Sequence, residues 1–226
     1  MALYGKAMLI NWSNVADKDR SQYYQWHDNE HMEGRLRLPG FQRGRRFWAD
    51  EADRDVLNIY EVDDLDVLTG PDYSKKASNP SPAYRNAGKI ITDAIRALAR
   101  VRFSSGSASG SRILTVRFDM EEGSSLQPMI DGLVPRLRAI EGIVGVHVSV
   151  ADHNASSVLT ADREGRPTAV PAWSLLIEAT IPEALKRCRA EYLSKEQLES
   201  YGCVGPFAFG TYLLQMSMTK RDLGLA

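Results

Sequence analysis

Apolar positions along the chain recur first with the period of a strand and then with that of a helix, and this succession runs through twice. Residues 6–12 read as a strand, Asp17 or Asp19 caps a polar helix running to about Leu36, and Pro39-Gly40 stops it. Residues 41–48 alternate as a second strand, with Phe41, Arg43, Arg45 and Phe47 on one face and Gln42, Gly44, Arg46 and Trp48 on the other. Residues 55–62 form a third. Past a stretch holding Pro71, Pro80 and Pro82, the spacing of Ile90, Ile91, Ala94, Ile95 and Leu98 predicts a helix over 84–98, and 100–103 close the unit as a strand. The Gly/Ser-rich run 104–111 reads as a linker. The order then recurs, with strands at 113–118, 143–150, 173–180 and 207–218 and helices at 126–140 and from 182 to about 201.

Each half is therefore β-α-β-β-α-β, the ferredoxin-like unit. The predicted class is α+β, with a first repeat at 1–103, a linker at 104–111, a second repeat at 112–220 and a tail at 221–226. A long insertion at 152–172, carrying Gly165, Pro167 and Pro171, reads as a mobile surface loop or lid. A four-stranded sheet with helices on one face leaves the other bare, and the second copy can cover it, sheet to sheet. The expectation is a pseudo-dimer of the dimeric α+β-barrel type. Pairing of each half with a second chain, as in a homodimer, remains the alternative.

With 43% apolar and 25% charged residues the composition is that of an ordinary globular protein. The 28 basic and 29 acidic residues nearly cancel, so charge gives no reason to expect nucleic acid or an anionic membrane as partner. Cys188 and Cys203 offer neither a disulfide framework nor a zinc knuckle. The first residues lack a signal-peptide pattern and no run is long enough to span a bilayer, which points to a cytoplasmic protein.

Chemistry concentrates in residues 23–35, where Tyr23, Tyr24, Trp26, His27, Asp28, Glu30, His31 and Arg35 fall on the first helix. His27 and His31 are four apart and share a helix face. The string H-x-x-E-H matches the inverted zinc-protease signature, but no later helix presents a third ligand, so no metal is expected. Aligning Gly40 with Gly142, an offset of 102, sets His27 against Met129 and His31 against Leu133. Those partners belong to an apolar stripe that should face the sheet. The histidines then point to a polar cavity between helix and sheet in the first half only, unless local hydrogen bonds or a wet surface satisfy them. Arg43, Arg45 and Arg46 on the second strand are candidates to bind a carboxylate or phenolate, unless they form a solvated face. His147 reads as a structural histidine, His153 as exposed, and Trp12 and Tyr212 as barrel packing.

The run from Trp26 through His31, Arg35 and Pro39-Gly40-Phe41 to the arginines of the second strand resembles the EthD-like group of dimeric α+β-barrel proteins. The resemblance continues through Tyr60-Glu61-Val62 and 68–85, and His27 stands where many such proteins carry Tyr. It implies that His31 borders the cavity, with Trp26 and Arg35 on the same motif. It also implies a lyase, isomerase, cyclase or monooxygenase that needs no cofactor and acts on a small aromatic or polyketide-like compound. In that reading His31, near pKa 6.5, is the general base, with His27 beside it. Arg35 stabilises an enolate or phenolate, and Tyr23, Tyr24 and Trp26 supply apolar wall. A non-catalytic barrel that binds a small hydrophobe or serves under stress is the alternative, and a haem-binding barrel with His31 or His147 as axial ligand is a third.

Overall fold

Strands buried on both faces and helices buried on one build two similar halves in the computed structural model, which describes residues 3–161 and 168–225. The first half supplies β1 (Ala7–Val15), β2 (Phe41–Ala52), β3 (Val56–Val62) and β4 (Ile91–Gly106). The second supplies β5 (Arg112–Met120), β6 (Ile143–Ala151), β7 (Trp173–Ala179) and β8 (Cys203–Thr219). They close an antiparallel barrel in the order β1-β3-β2-β8-β5-β7-β6-β4. Each half keeps the ferredoxin-like order, and the pairs β2–β8 and β4–β6 join the halves. The barrel thus closes within one chain.

The first helix is one continuous αR run made of α1 (Arg20–Trp26), a π-helical turn (His27–His31) and α2 (Met32–Leu36). Short helices α3 (Leu65–Thr69), α4 (Pro71–Ser78) and α5 (Pro82–Gly88) follow β3. The second half carries a π turn (Met129–Leu133), α6 (Val134–Arg138), α7 (His153–Ser157), α8 (Pro182–Tyr192) and α9 (Lys195–Ser200). The two π turns sit at the offset of 102 read from the glycines. Gly40 and Gly142 both hold positive φ, 78° and 89°, where a side chain would strain the turn from helix to strand. The bulges after Phe41 and Ile143 match as well.

Four expectations need correction. The helix expected over 84–98 is α5 followed by a long strand: β4 pairs with β1 on one edge and β6 on the other, and ladder pairing on both sides outweighs helical spacing. The run 104–111 is no free linker, since Ser104 to Gly106 extend β4, Ser109 accepts a hydrogen bond from Arg43 and the Gly110 amide donates to Glu178. Within 152–172, α7 is capped by Asp152, and residues 162–167, with Gly165 and Pro167, lie outside the described residues. The bulge after Phe41 puts that ring on the helix side, opposite to Arg43, Arg45 and Phe47, which turn into the barrel.

The barrel interior is packed by Met8, Ile10, Trp12, Phe47 and Tyr212, as expected for Trp12 and Tyr212. At one end lies a buried ionic network. Arg43 and Arg45 both pair with Glu61 (2.6 and 3.1 Å), and Arg45 reaches Glu178 at 2.9 Å. His147, fully buried, meets Ser104 through Nδ1 at 2.8 Å and lies 3.5 Å from Glu178. Arg45 and His147 are again 102 apart. His153 is exposed.

Candidate active site

Helices α1 and α2 lie on the outer face of β1, β3 and β2, where Gly44 has no side chain and Met32 fills the space; a Cβ there would stand 2.1 Å from the Met32 sulfur. Farther along that face the matched positions diverge. In the second half Met129 and Leu133 pack into a continuous apolar core. In the first half His27 and His31 border a cavity of about 70 Å³ between helix and sheet. Tyr73 from α4 and Tyr84 from α5 also line it. Ser81, which caps α5 by accepting from the Tyr84 amide at 3.0 Å, also donates to Glu30, and this bond ties α5 to the site helix.

His27 is buried and committed on both nitrogens. Arg46 can only donate, so its guanidinium, 3.2 Å away, makes Nδ1 the acceptor; the ring proton sits on Nε2 and points at the Tyr60 hydroxyl, 3.3 Å off. The ring stacks on Tyr23 at 5.3 Å. Desolvation pushes the His27 pKa down, the Asp28 carboxylate pulls against it, and the Arg46 cation adds to the downward push, so the ring is neutral at pH 7. Arg46 is itself held by Asp28, and its guanidinium lies 4.7 Å from the Tyr24 ring. Desolvation raises the Asp28 carboxyl, but the His27 and Arg46 contacts outweigh it and hold it below its usual range. Burial drives the Tyr60 and Tyr23 phenols far above 10, so both remain neutral donors. Tyr23 accepts from Asn58 at 3.0 Å.

His31 is half-buried. Its ring lies 4.3 Å from Trp26, 5.3 Å from Tyr84 and 6.0 Å from Tyr60, centroid to centroid. The cavity therefore has an imidazole on one wall and, opposite its edge, a phenol whose oxygen already accepts from His27. That leaves the Tyr60 O–H free to donate into the cavity.

Of the residues expected at the site, Tyr23, Trp26, His27, His31 and Arg35 line this cavity together. Tyr24 stands outside it, against Arg46, and Arg43 and Arg45 lie across the sheet in the barrel network. The strand arginine that reaches the site helix is Arg46, on the face that alternation assigns opposite to Arg45. Sequence reading missed Tyr60 and Arg96, which line the cavity, and Tyr73 and Tyr84. Alternation along β3 could have placed Tyr60 on the helix side. Arg96 was hidden by the expected helix. The H-x-x-E-H string does not converge: His27 is turned to Tyr60, and Glu30 to Ser81. Among the described residues no three His, Cys, Asp or Glu side chains are grouped to hold a metal ion.

No family model matches the chain, and no curated protein matches it in sequence. Solved structures do match. An anthrone oxidase-like protein aligns with a TM-score of 0.63 at 13% identity, over 97% of this chain and 95% of the other. A candidate monooxygenase from Fusobacterium nucleatum gives 0.59 at 13% identity, over 96% of each chain. A haem-binding protein from Thermus thermophilus gives 0.54 at 11% identity, over 92% of this chain and 91% of the other. At these identities the likeness is one of fold: two ferredoxin-like units in a dimeric α+β-barrel arrangement. No helix among the described residues is long and apolar enough to cross a membrane.

Proposed function

We propose that this chain is an enzyme acting on a small, single-ring aromatic compound by histidine proton transfer, as a lyase, isomerase, cyclase or monooxygenase of EthD-like type. The observation that carries the reading is the facing of His31 and Tyr60 across one cavity, with His27 fixed behind Tyr60 by Arg46. In this account His31 takes a proton from carbon or a phenol. The charge left on the substrate oxygen is met by the Tyr60 O–H, and His27 supports that phenol without titrating. His27 is thus a positioning residue rather than a second base. The anion so formed can be reprotonated elsewhere, lose a leaving group or react with oxygen.

Cavity size bears on the substrate. An apolar cavity of about 150 Å³ accommodates benzene. At about 70 Å³ the cavity is smaller than one ring, so a bound substrate needs more room than the described side chains leave. Of the two histidines expected as haem ligands, His147 is buried inside the barrel against Ser104, whereas His31 borders the cavity. Two free, buried thiols suit a reducing cytoplasm, and nothing in the proposed chemistry requires a second copy of the chain.

The test is a thermal-shift screen of single-ring phenols and aryl ketones, followed by turnover of each ligand found. Stabilisation of the parent protein with turnover that falls about 10²–10⁴-fold in His31→Ala supports the proposal. Ligands that bind without reacting would make the chain a binding protein instead.

A further inference from the structure

Arg96 lines the cavity, and among the described residues that line it there is no Asp or Glu. Arg96 is 6% exposed, yet its polar partners are the Tyr73 hydroxyl at 2.7 Å and the Ser156 carbonyl at 3.4 Å. Neither carries charge. Four other buried guanidiniums are met by carboxylates: Arg43 by Glu61, Arg45 by Glu61 and Glu178, Arg46 by Asp28, Arg117 by Asp53. A buried cation with no carboxylate among its described partners is costly, and a ligand anion would offset that cost.

We propose that Arg96 is the recognition group for a carboxylate carried by the ligand, so that the compound this cavity accepts is an aromatic acid. The inference rests on the proposed proton-transfer site and names its substrate class. Arg96 presents planar paired donors suited to a carboxylate. The Arg96–Tyr73 contact separates the cavity from a second void of about 100 Å³, lined by Leu68, Leu98 and Ala155. A carboxylate that reaches Arg96 competes with the Tyr73 hydroxyl for its donors at the boundary of the two spaces. The aromatic body then lies toward His31 and Tyr60, with its acid group against β4.

Phenylacetate and phenylacetone form a matched probe pair, differing by a carboxylate oxygen in place of a methyl group. Calorimetric titration of the full-length protein should show phenylacetate binding at least about tenfold more tightly. That preference should vanish in Arg96→Gln and persist in part in Arg96→Lys. Circular dichroism checks that each variant is folded, and Arg96→Lys decides the matter if Arg96→Gln is not. Equal affinities in the parent, no phenylacetate binding at millimolar concentration, or a preference that survives Arg96→Gln overturns the inference. The two readings fail separately. His31-dependent proton exchange on phenylacetone without carboxylate preference removes only the role of Arg96, and carboxylate preference without exchange removes only the proton-transfer chemistry.

Discussion

His27 carries a consequence for stability. In the unfolded chain its imidazole takes up a proton near pH 6.5, whereas desolvation in the folded state, with Arg46 adding and Asp28 opposing, delays uptake to lower pH. The unfolded state therefore binds more protons in this window, and the contribution of His27, complete above about pH 7, is lost as pH falls through 6.5 toward the folded pKa. Thermal unfolding at pH 7.5 and 5.5 should show a smaller pH-induced drop in His27→Gln than in the parent protein, and equal drops would contradict the burial argument. At this scale the sequence was legible where chemistry clustered locally. Tyr23, Trp26, His27, His31 and Arg35 stand within one helix and reach one cavity. Tyr60, Tyr73 and Arg96 come from three separate elements, and no local pattern joins a phenol on β3 to an arginine on β4.

At the scale of elements, duplication gives an internal control. The π turns at His27–His31 and Met129–Leu133 occupy the same place, so the π geometry belongs to the fold and only the side chains differ. Such turns often mark functional sites; here the apolar copy shows that the turn alone makes none. Leu133→Ala should open a core cavity and cost about 2–5 kcal/mol in denaturant unfolding while sparing ligand turnover. A loss of turnover in the folded variant would mean that the halves are functionally coupled. Strand and helix order was readable because turn glycines and apolar stripes recur at one offset. The segment after Pro82 was misread for a physical reason: Arg96 and Leu98 are buried against helices while Ala97 and Ala99 face the barrel, so β4 lacks the alternation of a half-exposed strand.

At the scale of the molecule, both halves meet in the network of Arg43, Arg45, Glu61, His147 and Glu178. Burial raises the Glu178 carboxyl, but Arg45, His147 and the Gly110 amide outweigh it and hold the pKa down to about 2. Its stabilising effect is present above the ordinary value of 4.5 and fades as pH falls toward 2. Glu178→Gln leaves Arg45 short of one buried counter-charge and should cost about 3–5 kcal/mol at pH 7. A change below 1 kcal/mol would show that Glu61 alone satisfies the guanidinium. This network sits inside the barrel and the cavity outside it, so the substitution should lower stability without altering the chemistry of an intact site.

The central claim is that His31 moves a proton in the cavity of the first half. The direct measurement is deuterium exchange into the α-carbon positions of phenylacetone in D₂O, followed by proton NMR, with parent protein, His31→Ala and Leu133→Ala compared at equal concentration. The account predicts exchange above the buffer rate with the parent and with folded Leu133→Ala, and exchange at the buffer rate with His31→Ala. Equal acceleration by the parent and His31→Ala, or none by either, would contradict it.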